Sequence, residues 1–132
     1  PPAVRADPGE EVVMQTRNAL DGQITSTSQP ADLLKVNLDL VHPLTGPVYV
    51  NGAEPGDLLE VTILNIEPAK WGFTTILPGF GFLRDFFTEP YVVHWEIGNG
   101  FAQSEQLPGV RILMFSVLVI LSPSFWLQAS KD

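Results

Sequence analysis

The chain has 132 residues, of which 45% are apolar and 17% are charged. That is enough apolar material for one domain with a buried core, and too little charge for intrinsic disorder. Acidic residues outnumber basic ones 15 to 7, which gives a net charge of −8, and the basic residues are scattered singly. Nucleic acids and anionic membranes need a clustered basic patch, so we exclude both as partners. The absence of cysteine excludes disulfide scaffolds, thiolate metal sites and thiolate enzymes.

The chain shows no targeting signal. Its longest apolar stretch, residues 112–121, is interrupted only by Ser116 and is about half of the ~20 residues that a membrane-spanning helix needs. We therefore expect no membrane span and a cytoplasmic location.

Residues 7–10 and 54–57 share the layout acid-Pro-Gly-acid, and each set precedes a strand-like segment. Proline and glycine suit the two central positions of a type II turn, because proline presets φ and glycine accepts the positive φ that follows. After the second turn, Leu59, Val61 and Ile63 alternate with polar residues. This alternation predicts a strand with one buried face.

Further strands are predicted from the apolar patterns between the loops. No sustained helical pattern interrupts them, and short strands with Pro/Gly turns are typical of an antiparallel β-sandwich or barrel-like domain. The expected fold class is therefore mainly β, with strands at residues 35–41, 47–50, 73–77 and 91–97 and from residue 111.

His42 is the first candidate site residue. On the predicted strand it follows Val36, Leu38 and Leu40 on one face. An imidazole at the end of such a face can be a ligand or a general base, or a core histidine that bonds nearby backbone. The residue pattern leaves both interpretations open.

Glu54 and Asp57 flank the second turn, three residues apart. Two carboxylates on one loop can bind a metal or divide acid and base roles. They can equally form a polar turn in which Asp57 bonds local backbone. His94 and Glu96 lie two apart on one strand face and form a weaker candidate pair for a common ion.

A longer motif reduces the number of possible functions. Residues 41–61, which read VHPLTGPVYVNGAEPGDLLEV, strongly resemble the acetamidase/formamidase family, and residues 16–24 and 71–81 support the likeness. The resemblance covers about residues 2–112. It implies a mainly-β enzyme that hydrolyses short linear amides, such as formamide and acetamide, to a carboxylate and ammonia.

The resemblance also implies site roles. Glu54 and Asp57 would be the catalytic carboxylates, with Glu54 as acid and base and Asp57 supporting it. His42 would be a metal ligand or an orienting group, and the metal would be zinc. The partner would be a small amide substrate, and assembly into a homo-oligomer stays open.

Two departures from the family pattern matter. Asn18 stands where an aspartate is expected, and the later Gly-rich segment with His, Asn and Asp is missing. We therefore interpret the chain as an incomplete fragment of a larger enzyme, inactive by itself. Residues 1–112 would be the family-like β domain, and residues 113–132 a divergent apolar tail. A reading-frame shift or a mis-assigned exon end would produce such a tail, and a genuinely divergent strand is the competing explanation. The alternative is a non-catalytic β-sandwich module for binding or assembly.

Overall fold

The computed structural model describes residues 1–114 and 124–131, the latter through its backbone. Among these residues the regular structure is strands and two short 3-10 helices, which confirms the mainly-β fold class. No helix in the described ranges is long and apolar enough to cross a membrane. The strands are β1 (Val4–Ala6), β2 (Glu11–Gln15), β3 (Val48–Val50), β4 (Leu59–Glu67), β5 (Trp71–Ile76), β6 (Tyr91–Gly98), β7 (Phe101–Gln103), β8 (Arg111–Leu113) and β9 (Ser124–Lys131), and the 3-10 helices are Pro30–Lys35 and Leu38–Leu40.

The described chain forms two compact units that alternate along the sequence. The first unit holds Pro1–Arg17, Leu44–Pro68 and strand β9, and the second holds Asn18–Pro43 and residues 69–114. The chain passes from one unit to the other three times before residue 114, so no single linker separates them. Each unit has its own sheets.

Two sheets make up the first unit. Strand β9 lies between β2 and β4 and is antiparallel to both. Strands β1 and β3 pair in parallel, with Val4 opposite Val48 and Ala6 opposite Val50. A parallel pair needs a long connection, and here the chain between the strands includes β2 and a segment of the second unit. This pair departs from the all-antiparallel architecture that the turns predict.

The second unit is built on one antiparallel sheet in the order β5-β6-β7-β8. Strand β6 buries apolar side chains on both faces. Val92 packs into a buried cluster on one face, while Val93, Trp95 and Ile97 form a cluster with Ala102 on the other. Each fully buried side chain of this kind stabilises the fold by about 1.5–3 kcal/mol.

The first 3-10 helix covers one side of β6. Leu33 of the first helix is buried with Val92, and Leu20 and Ile24 complete this cluster. Ile24 is only 1% exposed. On the other side, the Trp95 indole N–H donates to the Thr74 hydroxyl at 2.9 Å, so the one polar atom of that ring is satisfied.

The predicted strand at residues 35–41 is wrong. The chain there forms the end of the helix Pro30–Lys35 and the whole of Leu38–Leu40. The Asp32 carboxylate accepts the backbone N–H of Gln29, the residue before the first helix, at 2.9 Å. The side-chain oxygen of Asn37 accepts the backbone N–H of Asp39 at 2.9 Å. These local side-chain bonds offer the backbone an alternative to a sheet ladder, so they override the alternating apolar pattern.

The strand after the second Pro-Gly turn is present as β4, but the prediction of a buried face is wrong. Leu59, Val61 and Ile63 are 45%, 54% and 56% exposed. The alternation correctly indicates which residues share a face. Burial needs a second layer, which the pattern of one strand does not specify.

The structure describes only part of the predicted divergent tail. Residues 115–123, the most apolar part, lie outside the described residues. Strand β9 follows them and pairs with β2 and β4, with Gln128 opposite both Glu11 and Thr62.

Candidate functional site

The Glu54–Asp57 turn is closed by two hydrogen bonds. The Asp57 backbone N–H donates to the Glu54 carbonyl at 3.1 Å, and the Glu54 N–H donates to the Asp57 carboxylate at 2.7 Å. Gly56 has a φ of +106°, as the predicted type II turn requires. Asp57 therefore holds the turn through local backbone, while the Glu54 side chain is exposed.

A second turn repeats this design. The Glu10 backbone N–H donates to the Asp7 carbonyl at 3.0 Å, and the Asp7 N–H donates to the Glu10 carboxylate at 2.8 Å. Both turns follow the parallel strands β1 and β3. The Asn51 side chain donates to the Asp7 carboxylate at 2.8 Å, which links the segment after β3 to the first turn. The acidic turns of the first unit thus lie at one end of the β1–β3 pair, and the repeated layout in the sequence is the signal that relates them.

His42 lies in the second unit and outside any strand. Its φ is +59°, in the left-handed region that residues other than glycine seldom adopt. The backbone N–H donates to the Ala19 carbonyl at 2.7 Å, which holds this conformation. The interpretation of His42 as the end of a strand face is therefore wrong, because the chain has left the 3-10 helix Leu38–Leu40 and turns sharply here. Its side chain is exposed.

An open cavity of about 770 Å³ lies beside His42 within the second unit. Its walls are mainly apolar and include Leu20, Phe73 and Leu77. The polar residues His42, Thr75 and Arg84 are among those that line it. Mainly apolar concave sites with a few polar groups are typical of small-molecule pockets. His42 is predicted as a site residue from the sequence, whereas Thr75 and Arg84 are not, because neither belongs to a motif.

His94 is held by the backbone around it. Its ring Nε2 lies 2.8 Å from the Ser28 carbonyl oxygen, and its backbone N–H donates to the Gln106 side chain at 2.7 Å. The same Gln106 side chain donates to the Val92 carbonyl at 2.8 Å, so it extends the ladder of β6. Glu96, on the same strand, is exposed. One ring nitrogen of His94 is thus committed to a structural contact.

Asn18 has a structural role in the second unit. Its side-chain oxygen accepts the N–H groups of Leu20 and Gly22 at 3.0 and 3.1 Å. An aspartate at this position would accept the same two bonds, so Asn18 holds this loop without adding a negative charge.

The predicted site residues fall into two groups. Glu54 and Asp57 share one turn of the first unit, and His42 belongs to the second unit. Within residues 1–114 and 124–131, no three His, Asp or Glu side chains are grouped so that they could hold a metal ion.

Comparisons with known proteins agree with the motif. The sequence pattern of the Acetamidase/Formamidase family matches residues 1–130. An acetamidase from Mycolicibacterium smegmatis is 36% identical over 124 residues, which cover 84% of this chain and 30% of that protein. A formamidase from Methylophilus methylotrophus is 36% identical over 110 residues, which cover 79% of this chain and 27% of that protein.

A solved structure agrees as well. A gamma lactamase from Delftia acidovorans superposes with a TM-score of 0.79 at 37% identity, over 86% of this chain and 29% of that one. The chain thus spans about 30% of the length of the curated relatives it matches. With the family pattern matched along nearly its whole length, this chain belongs to the acetamidase/formamidase family.

Proposed function

We propose that this chain is the N-terminal part of an amidase that hydrolyses the C–N bond of short linear amides such as formamide and acetamide. The observation that carries the proposal is the 36% identity to proteins named acetamidase and formamidase, which span far more than this chain. We propose that an activated water is the nucleophile, because the exposed Glu54 carboxylate is available to take its proton.

Glu54 is our candidate for the general acid and base. Its side chain is exposed, and the turn hydrogen bonds fix its backbone on both sides. A fixed backbone restricts where the carboxylate can reach, which general acid–base catalysis requires. We assign Asp57 as the residue that positions Glu54, because its carboxylate accepts the Glu54 N–H. His42 remains a proposed ligand or orienting group.

The proposed reaction balances with water as the only co-reactant. The Glu54 carboxylate takes a proton from water as the water oxygen bonds to the amide carbon. A tetrahedral intermediate forms, and its oxyanion needs hydrogen-bond donors. When the C–N bond breaks, the protonated Glu54 returns the proton to the leaving nitrogen, and a carboxylic acid and ammonia are released.

Zinc remains a proposal, because the described residues do not supply a complete set of zinc ligands. A catalytic zinc site uses three protein ligands and an open position for water. No such group of three occurs in the described part of the chain, and Asp57 accepts a backbone N–H. Further ligands would have to come from outside these residues, so the steps above are written without a metal.

A non-catalytic module is the second candidate function. The half-exposed apolar residues of β4 favour it, since exposed apolar surface marks interaction sites. Under either function we propose negligible amidase activity for the chain alone, because catalytic groups act as a unit. A cytoplasmic location and a homo-oligomeric state also remain predictions.

A chimera separates the two functions. Residues 1–112 of this chain would replace the matched N-terminal part of the M. smegmatis acetamidase, and ammonia release from formamide and acetamide would be measured. We expect turnover on the order of 1–10³ per second for the chimera. Glu54→Gln should lower it about 10²–10⁴-fold. Glu89→Gln, at an exposed glutamate of the second unit, is the matched control and should leave turnover unchanged.

Two results would contradict the proposal. The first is a folded chimera that releases no ammonia, which would favour the non-catalytic module. The second is a Glu54→Gln chimera as active as the control variant, which would remove Glu54 from the reaction.

A further inference from the structure

The cavity beside His42 is lined by two different kinds of apolar residue. One part of its wall belongs to the buried cluster of the second unit, where Leu20 is buried and Phe73 packs against the cluster. The other part belongs to the loop that follows β5, where Phe80 and Phe82 are exposed. The cavity volume of about 770 Å³ lies within the range of roughly 300–1,000 Å³ that is usual for small-molecule pockets.

Two hydrogen-bonded turns fix the backbone of this loop. The Phe80 N–H donates to the Leu77 carbonyl at 3.0 Å, and the Phe87 N–H donates to the Leu83 carbonyl at 3.1 Å. Arg84 lies inside the second of these turns. A loop whose backbone is already fixed loses less conformational freedom when a ligand binds, so this loop is suited to binding.

Arg84 gives the cavity a positive charge. No aspartate or glutamate is among the residues that line the cavity, although acidic residues outnumber basic ones 15 to 7 in the sequence. Within the described part of the chain, the Arg84 side chain forms no hydrogen bond or ion pair. Its five N–H donors are therefore available to an anion.

The charge and the walls together define the class of ligand. One guanidinium compensates one negative charge, and its planar fork binds a carboxylate through two parallel N–H···O bonds. Anions with several charges would be repelled more strongly by a chain of net charge −8. Aromatic rings pack well against one another in offset or edge-to-face geometry. Four phenylalanines line the cavity: Phe73, Phe80, Phe82 and Phe87.

We infer that the cavity beside His42 binds an aryl-alkyl monocarboxylate, with the ring of the ligand against the phenylalanines and its carboxylate on Arg84. A short alkyl chain lets the two groups of the ligand adjust to the two parts of the wall. The inference goes beyond the proposed function and does not depend on it, because binding is measured without turnover. A folded but inactive chimera that binds the ligand would contradict the proposed function and leave this inference intact.

An NMR titration of the chain with 4-phenylbutyrate tests the inference. The alcohol 4-phenyl-1-butanol has the same ring and alkyl chain without the charge, and acetate has the charge without the ring. We expect a Kd of about 0.1 mM for 4-phenylbutyrate and roughly tenfold weaker binding of the other two compounds. The backbone amide signals that shift should belong to the segments that line the cavity, residues 19–20, 38–42 and 73–87.

Substitutions separate the charge from the ring. Arg84→Gln should weaken the binding of 4-phenylbutyrate about tenfold and leave that of 4-phenyl-1-butanol unchanged. Phe80→Ser should weaken the binding of both compounds about threefold, because it removes an aromatic contact that they share.

The matched control is Arg111→Gln. Arg111 belongs to the second unit and lies 4.0 Å from the centre of the Phe101 ring, and it does not line the cavity. Its replacement should leave both affinities unchanged. Circular dichroism checks that each variant is folded. If Arg84→Gln is unfolded, Arg84→Lys, which keeps the charge and loses the planar fork, replaces it with an expected loss of about threefold.

Four outcomes would overturn the inference. The amide signals that shift lie outside the lining segments. Either 4-phenyl-1-butanol or the Arg84→Gln variant gives binding as tight as that of 4-phenylbutyrate to the original chain. A folded chimera with the M. smegmatis acetamidase no longer binds 4-phenylbutyrate, which would assign the cavity to the remaining polypeptide. The chain alone sediments as a dimer that 4-phenylbutyrate dissociates, which would assign the cavity to a second copy.

Discussion

The two units of the molecule differ in how they bury their apolar residues. In the second unit Ile24 and Val92 are 1% and 2% exposed, and β6 has a buried cluster on each face. Among the described residues of the first unit, Ala6 and Val50 are the buried apolar side chains. The strand β4, with as regular an alternation as β6, has exposed apolar residues. The same sequence pattern thus accompanies a completed core in one unit and an open face in the other.

The backbone conformations differ between the units for a local reason. In the described ranges the non-glycine residues with positive φ are Asp21, His42 and Asn99, and all three lie in the second unit. The first unit uses glycine at its positive-φ positions, as in Gly56. His42 and Asn99 are exposed, so local hydrogen bonds and turns rather than a packed core hold these conformations. The buried clusters, and not the backbone conformations, therefore distinguish the second unit from the first.

The largest effect on the free energy of unfolding is expected when one isoleucine in each unit is replaced by alanine. Ile24→Ala in the second unit should lower the free energy of unfolding by about 2–5 kcal/mol, because it leaves a cavity in a closed core. Ile63→Ala in the first unit, at a side chain 56% exposed, should cost less than about 1 kcal/mol. Urea unfolding followed by tryptophan fluorescence measures both. Equal losses would break the comparison between the units.

A smaller effect tests the strain at His42. His42→Gly should be more stable than His42→Ala by about 1 kcal/mol, because glycine adopts the φ of +59° without a steric penalty. The midpoint of thermal unfolding of the two variants provides the measurement. If His42→Ala proves the more stable, the chain is unstrained at this position.

The two acidic turns of the first unit should lose similar stability when a carboxylate that accepts a backbone N–H is removed. Asp57→Ala and Glu10→Ala each remove a carboxylate that accepts a backbone N–H, at 2.7 and 2.8 Å. Each should cost about 1 kcal/mol, the typical value for one hydrogen bond. Asp57→Asn keeps an acceptor oxygen and should cost less. Chemical denaturation of the three variants would show it, and an unchanged stability of Asp57→Ala would remove its role in fixing Glu54.

The smallest effect is a pH dependence in the second unit. A backbone hydrogen bond from Gln29, and then the Lys35 ammonium at 3.0 Å, lower the pKa of Asp32 below its ordinary value of 3.8. A lowered folded-state pKa contributes stability above the ordinary value, and this contribution is lost as the pH falls through the folded pKa. Asp32→Asn should therefore lower the thermal midpoint slightly at neutral pH and not in strong acid. A difference that grows toward acid would contradict the assignment.

The sequence predicts those features that depend on neighbouring residues. Gly56 and its proline specify the turn, and the apolar runs locate β4 and β6. The alternating pattern at residues 35–41 wrongly predicts a strand, because Asp32 and Asn37 accept backbone N–H groups locally and an alternating pattern does not reveal such bonds. The left-handed backbone at His42 depends on its bond to the distant Ala19 carbonyl, so no local signal predicts it.

The site residues also divide into those that a local motif predicts and those that only the folded chain brings together. The motif around Glu54 and Asp57 was identifiable because turn and family pattern coincide within four residues. Thr75 and Arg84 beside the cavity come from separate segments that only the folded second unit brings together. Such convergence has no signature in a single sequence.

Hydrogen–deuterium exchange tests the difference between the units most directly. In the chain alone, peptides that cover β6 should exchange at least tenfold more slowly than peptides that cover β4, because protection follows local packing. In the chimera with the M. smegmatis acetamidase, β4 should become protected while β6 stays unchanged. Equal protection of β4 and β6 in the chain alone, or a β4 that exchanges equally fast in a folded chimera, would contradict the account.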